Sequence, residues 1–156
     1  MAISQQDLIA SVPTGLLIGG SWRDSSDGGT LKVEDPSTGE ILTEVADATV
    51  ADGKAALDAA VAAQAEWAKV PPRDRGEILR SAFDKITERA DDFAMLMTLE
   101  MGKTLAESRG EVTYGAEFFR WFAEEAVRVH GRYAVAPNGA TRLVTMLERC
   151  QSQHHW

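Results

Sequence analysis

Apolar residues follow two different rhythms along this chain, with short alternating runs between about residues 16 and 45 and steps of three and four from about 49 to 129. Leu16-Leu17-Ile18 runs into Gly19-Gly20, a pair that accepts positive φ and turns the chain back before Trp22. Ser25-Ser26-Asp27-Gly28-Gly29 marks a second turn, after which Leu31 and Val33 alternate with Lys32 and Glu34. In Asp35-Pro36-Ser37-Thr38-Gly39, proline fixes φ and removes a donor while glycine permits a left-handed exit. The run 41–45 completes a set of short strands.

Helical spacing then takes over. Thr49 followed by Asp52 forms the pattern of a capping box and opens an alanine-rich helix to about residue 69, with Leu57, Val61, Gln64 and Ala68 along one stripe. Pro71-Pro72 ends it, and Pro72 suits the first turn of the next helix, whose apolar face is Ile78, Leu79, Ala82, Phe83 and Ile86. Phe93, Leu96 and Met97 continue a helical stripe after a break near Ala90-Asp91, and Gly102 closes it. A third helix spans roughly 105–129, with Val112, Ala116, Phe119, Ala123 and Ala126 on one face. Phe118, Trp121 and Phe122 widen that face, so this helix is expected to pack on more than one neighbour, with Gly131 ending it. The runs 133–136 and 141–146 flank Pro137-Asn138-Gly139-Ala140, and Asn-Gly between apolar runs predicts a β-hairpin whose edges want a partner.

Composition narrows the class. With 156 residues, 44% hydrophobic and 26% charged, the chain has the length and make-up of one globular domain. A net charge of -8 argues against nucleic acid or an anionic membrane as partner, because no basic patch supplies counterion release. No run of about 18 apolar residues is present, and residues 1–12 lack the basic and apolar regions of a signal peptide. One cysteine, Cys150, excludes an internal disulfide and fits a reducing cytoplasm.

Candidate chemistry is thin. Gly102-Lys103-Thr104 looks like the end of a phosphate-binding loop, but the pattern needs glycine where Met97 stands and a strand where residues 93–100 read as helix; a helix terminus is the expected role. His154 and His155 are adjacent and cannot share a helix face, and no zinc-ligand spacing surrounds them. Glu100, Glu111, Glu124 and Glu125, with Arg73, Arg75, Arg80, Arg120 and Arg128, read as solvated helix faces and ion-pair partners. Trp22, Trp67 and Trp121 read as core anchors.

Taken together, Asp35-Pro36-Ser37-Thr38-Gly39-Glu40, Leu99-Glu100-Met101-Gly102-Lys103-Thr104-Leu105, Gly110-Glu111-Val112 and Trp121-Phe122-Ala123-Glu124-Glu125-Ala126 closely resemble the amino-terminal part of aldehyde dehydrogenases. Gly102-Lys103 and the 121–126 stretch look most like the succinate-semialdehyde dehydrogenase branch, and the resemblance runs from about 16 to 146. It implies an α+β fragment of that fold: short amino-terminal strands, about three amphipathic helices and a carboxyl-terminal β-hairpin. The divisions it implies are a flexible segment 1–15, the amino-terminal strand and helical part of a cofactor domain at 16–131, the start of an oligomerisation hairpin at 132–146, and a non-matching tail at 147–156.

The same resemblance implies a parent reaction, NAD(P)-dependent oxidation of succinate semialdehyde to succinate in 4-aminobutyrate degradation. The family's nucleophilic cysteine sits in a Gly-Gln-x-Cys setting far downstream, whereas Cys150 lies in Leu147-Glu148-Arg149-Cys150-Gln151-Ser152-Gln153 and reads as an incidental thiol. After Met146 the family continues into Pro-Val-Gly and Pro-Trp-Asn-Phe-Pro, and this chain does not, which is what a frameshift or truncated reading frame produces. The expectation is therefore a chain with no catalytic, cofactor-binding or metal residue of its own and no bound NAD or NADP. It is expected to be cytoplasmic, inactive alone and prone to self-association, with a non-catalytic interaction module as the alternative; a small aldehyde is the substrate only of the full-length family.

Overall fold

The computed structural model describes residues 4–137, 139 and 142–145. Their order is α1 (Gln5–Ser11), β1 (Leu16–Ile18), β2 (Ser21–Arg23), β3 (Thr30–Glu34), β4 (Ile41–Ala46), α2 (Val50–Lys69), α3 (Pro72–Glu88), α4 (Ala90–Met101), α5 (Leu105–Glu125), a 3-10 turn (Ala126–Arg128), β5 (Arg132–Val135) and β6 (Arg142–Thr145). The strands pair in sequence as three separate antiparallel ribbons, β1 with β2, β3 with β4 and β5 with β6.

Local chemistry explains each ribbon. Gly19 and Gly20 take φ of 61° and 81°, the double positive φ that a two-residue I′ turn needs, and Ile18 consequently faces Ser21. Between β3 and β4 the Asp35 carboxylate accepts from the Ser37 N–H, and Gly39 exits at φ 74° as the sequence predicts. In the third ribbon Tyr133 stands opposite Val144, and the turn residue Asn138 lies outside the described residues.

Helix termini are set by equally local signals. Thr49 and Asp52 form the expected reciprocal capping box at α2, Thr104 and Glu107 form a second at α5, and Gly102 ends α4 at φ 70°. Asp52 does more than cap. Its carboxylate also accepts from the Ser26 N–H at 3.1 Å, pinning the loop between β2 and β3 to the start of α2 while remaining only 4% exposed. Those donors, the Ser26 N–H first and then the Thr49 N–H and hydroxyl, hold its pKa well below the ordinary carboxylate value.

Packing centres on α5. Ser108, Val112 and Ala116, at successive steps of four, are buried on one stripe, and Ala94 is buried on α4 beside it. Ser108 and Thr98 share a hydroxyl hydrogen bond of 2.8 Å across the α4–α5 seam. On the α3 side Gly76 is buried so tightly that an added Cβ would stand 2.7 Å from the Ala123 carbonyl oxygen.

Several expectations need correcting. Among the described residues there are five α-helices rather than about three. The stripe through Phe93 is a separate helix, because Arg89 leaves helical geometry at φ -107°, ψ 24°. Helix α5 stops at Glu125 and tightens into a 3-10 turn, so it does not run on to Gly131. An element the sequence reading did not identify is α1: Ser4 caps it by accepting from the Asp7 N–H, Leu8 is 1% exposed and Gln5 donates to Met95 Sδ on α4. The α2 stripe also fails, since Leu57 and Val61 are exposed and α2 touches only β1 appreciably.

Two outcomes follow from these contacts. Gly76→Val is expected to lose about 1–3 kcal/mol of stability through overpacking, whereas Gly53→Ala, on α2 with nothing within 4 Å of the added carbon, gains about 0.5–1 kcal/mol; urea unfolding curves compare them. Because folding lowers the Asp52 pKa, its stabilisation is complete above the unfolded carboxylate pKa of about 4 and is lost as pH falls below it. The thermal midpoint should therefore drop more between pH 6 and about pH 3 in the parent chain than in Asp52→Asn.

Candidate functional site

The one place where sequence motifs from distant parts of the chain converge is the junction between α4 and α5. Gly102, closing α4, lies under the Asp35–Gly39 turn so closely that an added Cβ would meet Pro36 Cγ at 3.1 Å and Ser37 Oγ at 3.4 Å. Lys103 follows and pairs with Glu111 on the second turn of α5. Thr104 then caps α5, accepting from the Glu107 N–H while the Glu107 carboxylate accepts from the Thr104 hydroxyl and N–H. The Thr104 hydroxyl is the main cause that lowers the Glu107 pKa.

This geometry decides between the two roles of Gly102-Lys103-Thr104. The Gly102 N–H donates to the Thr98 carbonyl, the Lys103 ammonium faces a carboxylate, and the Thr104 hydroxyl is held by Glu107. These three groups serve the end of α4 and the start of α5. The junction is a helix terminus, as the missing glycine at Met97 predicts.

The other candidates disperse. Glu124 lies 3.9 Å from Arg120 and Glu125 lies 2.6 Å from Arg128, both along the same helix end. Arg80 pairs with Asp84, and the guanidinium groups of Arg80 and Arg120 stand 5.2 and 6.0 Å from the Phe83 ring centre. Arg73 and Glu100 are exposed, and Arg75 borders an apolar groove. Cys150, His154 and His155 lie outside the described residues. Among the described residues no group of three or more histidine, cysteine, aspartate or glutamate side chains could hold a metal ion, and no helix is long and apolar enough to cross a membrane.

The tryptophans were expected in the core and are not there. Trp22 and Trp121 are more than half exposed, and Trp67 walls the groove that Arg75 borders. That groove, about 410 Å3, is lined by Ile78 and Leu79 of α3, Phe122 and Glu125 of α5, and Val129 beyond it. A second, about 350 Å3, lies along Tyr114, Phe118, Trp121 and Phe122. Helical spacing had identified the broad apolar face of α5; what it could not supply was the absence of a neighbour on that side.

Comparison with known proteins agrees with the motifs. Residues 22–149 match the aldehyde dehydrogenase family. A succinate-semialdehyde dehydrogenase of Paenarthrobacter nicotinovorans is 60% identical over 104 residues, 67% of this chain and 23% of that protein. An NADP-dependent succinate-semialdehyde dehydrogenase of Escherichia coli is 39% identical over 83% of this chain and 27% of its own length. Among solved structures, an aldehyde dehydrogenase from Brucella melitensis superposes with a TM-score of 0.83 at 42% identity, covering 94% of this chain and 30% of that one. The chain thus spans about a quarter to a third of the length of these relatives. Motifs, fold and sequence matches all lead to one conclusion: the chain belongs to the aldehyde dehydrogenase family.

Proposed function

We propose that this chain is the amino-terminal structural part of a succinate-semialdehyde dehydrogenase, built to frame a cofactor domain whose reacting groups lie elsewhere in the family fold. The observation that carries this reading is the 60% identity to the Paenarthrobacter nicotinovorans enzyme over a segment amounting to 23% of that protein. The parent reaction is the NAD(P)-dependent oxidation of succinate semialdehyde to succinate, in which the aldehyde carbon gives up a hydride to the cofactor and gains an oxygen from water. Each polar cluster described above serves a cap, a seam or a helix-surface pair, which supports a framing role over a catalytic one. The single cysteine and acidic composition favour a cytoplasmic setting.

A second reading, an interaction module without catalysis, rests on surface rather than on sequence identity. Among the described residues 21 large apolar side chains are exposed, while Leu8, Ala94, Val112 and Ala116 form the buried apolar core. Apolar surface left in water at roughly 25 cal/mol per Å2 rivals a domain's net stability. On this reading the α5 face and the 132–146 segment, the start of an oligomerisation sheet, mediate self-association.

Purified chain mixed with succinate semialdehyde and NAD or NADP is expected to give no rise in reduced-cofactor absorbance, because positioning and electrostatic stabilisation supply most of an enzyme's rate enhancement. Turnover abolished by Cys150→Ala would overturn this. Light scattering at micromolar concentration is expected to show self-association with binding of a hydrophobic dye. A monodisperse monomer with a sharp thermal transition and no dye binding would instead identify a self-sufficient domain.

A further inference from the structure

Two Asp-Gly pairs occur in the chain, Asp27-Gly28 in the loop between β2 and β3 and Asp52-Gly53 in the first turn of α2. Aspartate followed by glycine is where a backbone can rearrange without an enzyme, because no Cβ shields the glycine nitrogen from the neighbouring carboxyl carbon. The two pairs differ in their surroundings. Asp52 is 4% exposed, and the Gly53 N–H donates to the Thr49 carbonyl at 3.0 Å as part of the helix. Asp27 and Gly28 are exposed, and Gly28 stands at φ 74° with nothing within 4 Å of an added Cβ, so water reaches the pair from the open side.

Contacts around Asp27 restrain both reacting groups. The Gly28 N–H, whose nitrogen would attack, donates to the Ser25 carbonyl at 3.0 Å. The Asp27 carboxylate accepts from the Gly29 N–H and from the Ser25 hydroxyl, each at 2.8 Å, and both donors favour the ionised form over the acid that reacts. Ser25 itself is buried, 6% exposed, so its hydroxyl is fixed in place. The loop is also clamped on both flanks. Ser26 gives its N–H and its hydroxyl to Asp52, each at 3.1 Å, and the Gly29 carbonyl accepts from the Asp47 N–H at 2.9 Å.

We propose that Asp27-Gly28 is a modification site, where an aspartyl linkage rearranges to an isoaspartyl one, and that the Ser25 turn holds the reaction in check until the loop opens. The Gly28 nitrogen gives up its proton and bonds to Asp27 Cγ, and the carboxyl OH departs with that proton as water, closing a succinimide ring. Water then opens the ring. Cleavage of the new N–Cγ bond restores aspartate, whereas cleavage between the nitrogen and the Asp27 main-chain carbonyl carbon leaves the chain running through Cγ and the old carbonyl as a carboxylate. One water leaves and one enters, so the mass is unchanged and no cofactor or oxidant takes part. The isoaspartyl main chain is longer by one carbon, about 1.5 Å. Between clamps at Ser26 and Gly29 the extra atom has to displace one of them, and the grip of Asp52 on Ser26 is the contact that joins this loop to α2.

The test is timed incubation of the complete chain at neutral pH, with and without urea, followed by trypsin and chromatography that separates aspartyl from isoaspartyl peptides. Peptides 24–32 and 33–54 carry the two Asp-Gly pairs separately. In urea both are expected to accumulate the isoaspartyl form, whereas in the folded chain 24–32 accumulates it at least about tenfold more slowly and 33–54 more slowly still. Ser25→Ala, without urea, should speed conversion in 24–32 while 33–54 stays as in the parent, which shows the fold retained. Asp27→Glu, too long to close the five-membered ring, should abolish the product in 24–32. In the aged, folded sample the isoaspartyl form of the loop peptide should take up deuterium faster than the aspartyl form, the sign of a released clamp. Equal rates with and without urea overturn the proposal, as does a Ser25→Ala chain that converts at the parent rate. Product that persists in Asp27→Glu places the reaction at Asp24 and overturns the site, and equal deuterium uptake overturns the loss of the clamp. If Ser25→Ala speeds both peptides it has unfolded the chain, and the urea comparison on the parent decides.

Discussion

Close approach of α3 and α4 to the small residues of α5 is the constraint on which the rest of the structure depends. Gly76 lets α3 reach the Ala123 carbonyl, and Ser108 lets α4 approach until its hydroxyl meets that of Thr98. Helices that meet through glycine, alanine and serine gain dispersion contacts and hydrogen bonds but bury little apolar area per residue. The large side chains of α5 are consequently excluded from the seam. Among the described residues Tyr114, Phe118 and Trp121 sit on the side of α5 away from that seam, while Phe122 borders α3 beside Ile78 and Leu79.

The strands are attached by a different physics. Among the described residues, the first two ribbons and their loops are held by polar latches and close contacts at defined points. Asp52 accepts from Ser26 across the α2 start, the Ala46 N–H donates to the Thr14 carbonyl, and the turn carrying Pro36 lies on Gly102. A latch of this kind is directional and fixes register without much buried area. The carboxylates of Asp27 and Asp52 are held ionised to lower pH by their donors: the Gly29 N–H and Ser25 hydroxyl for Asp27, and Ser26 and Thr49 for Asp52.

Features decided within a few residues were legible in the sequence, and features decided by a neighbour were not. Thr49 with Asp52, Gly19-Gly20, Asp35 to Gly39 and Gly102 all act through their own backbone, and all take the conformations their chemistry dictates. Lys103 and Thr104 were read correctly as parts of a helix terminus because the missing glycine at Met97 is itself local. Leu57, Val61, Trp22 and Trp121 were misread as inward-facing because apolarity reports a preference for burial, not the presence of something to be buried against. Helix α1 escaped notice since seven residues with a single buried side chain, Leu8, carry almost no periodic signal, although Ser4 and Asp7 already spell its cap. The contact between Pro36 and Gly102 joins two motifs recognised separately, and no pattern within either one announces the other.

The packing of α3 and α4 on α5 also sets an order of events. Helix α3 reaches α5 across the intervening α4, but all three helices lie within residues 72–125, so the loops to be closed are moderate and this unit can form before contacts with more distant segments. During synthesis of a longer protein that begins with this fold, the unit emerges from the ribosome and folds while later polypeptide is still being made. Its aromatic side then faces water for the seconds that translation of the remainder takes. The step of biogenesis most exposed to misassembly is therefore the interval after α5 has folded, and molecular chaperones would act there rather than on the unfolded chain.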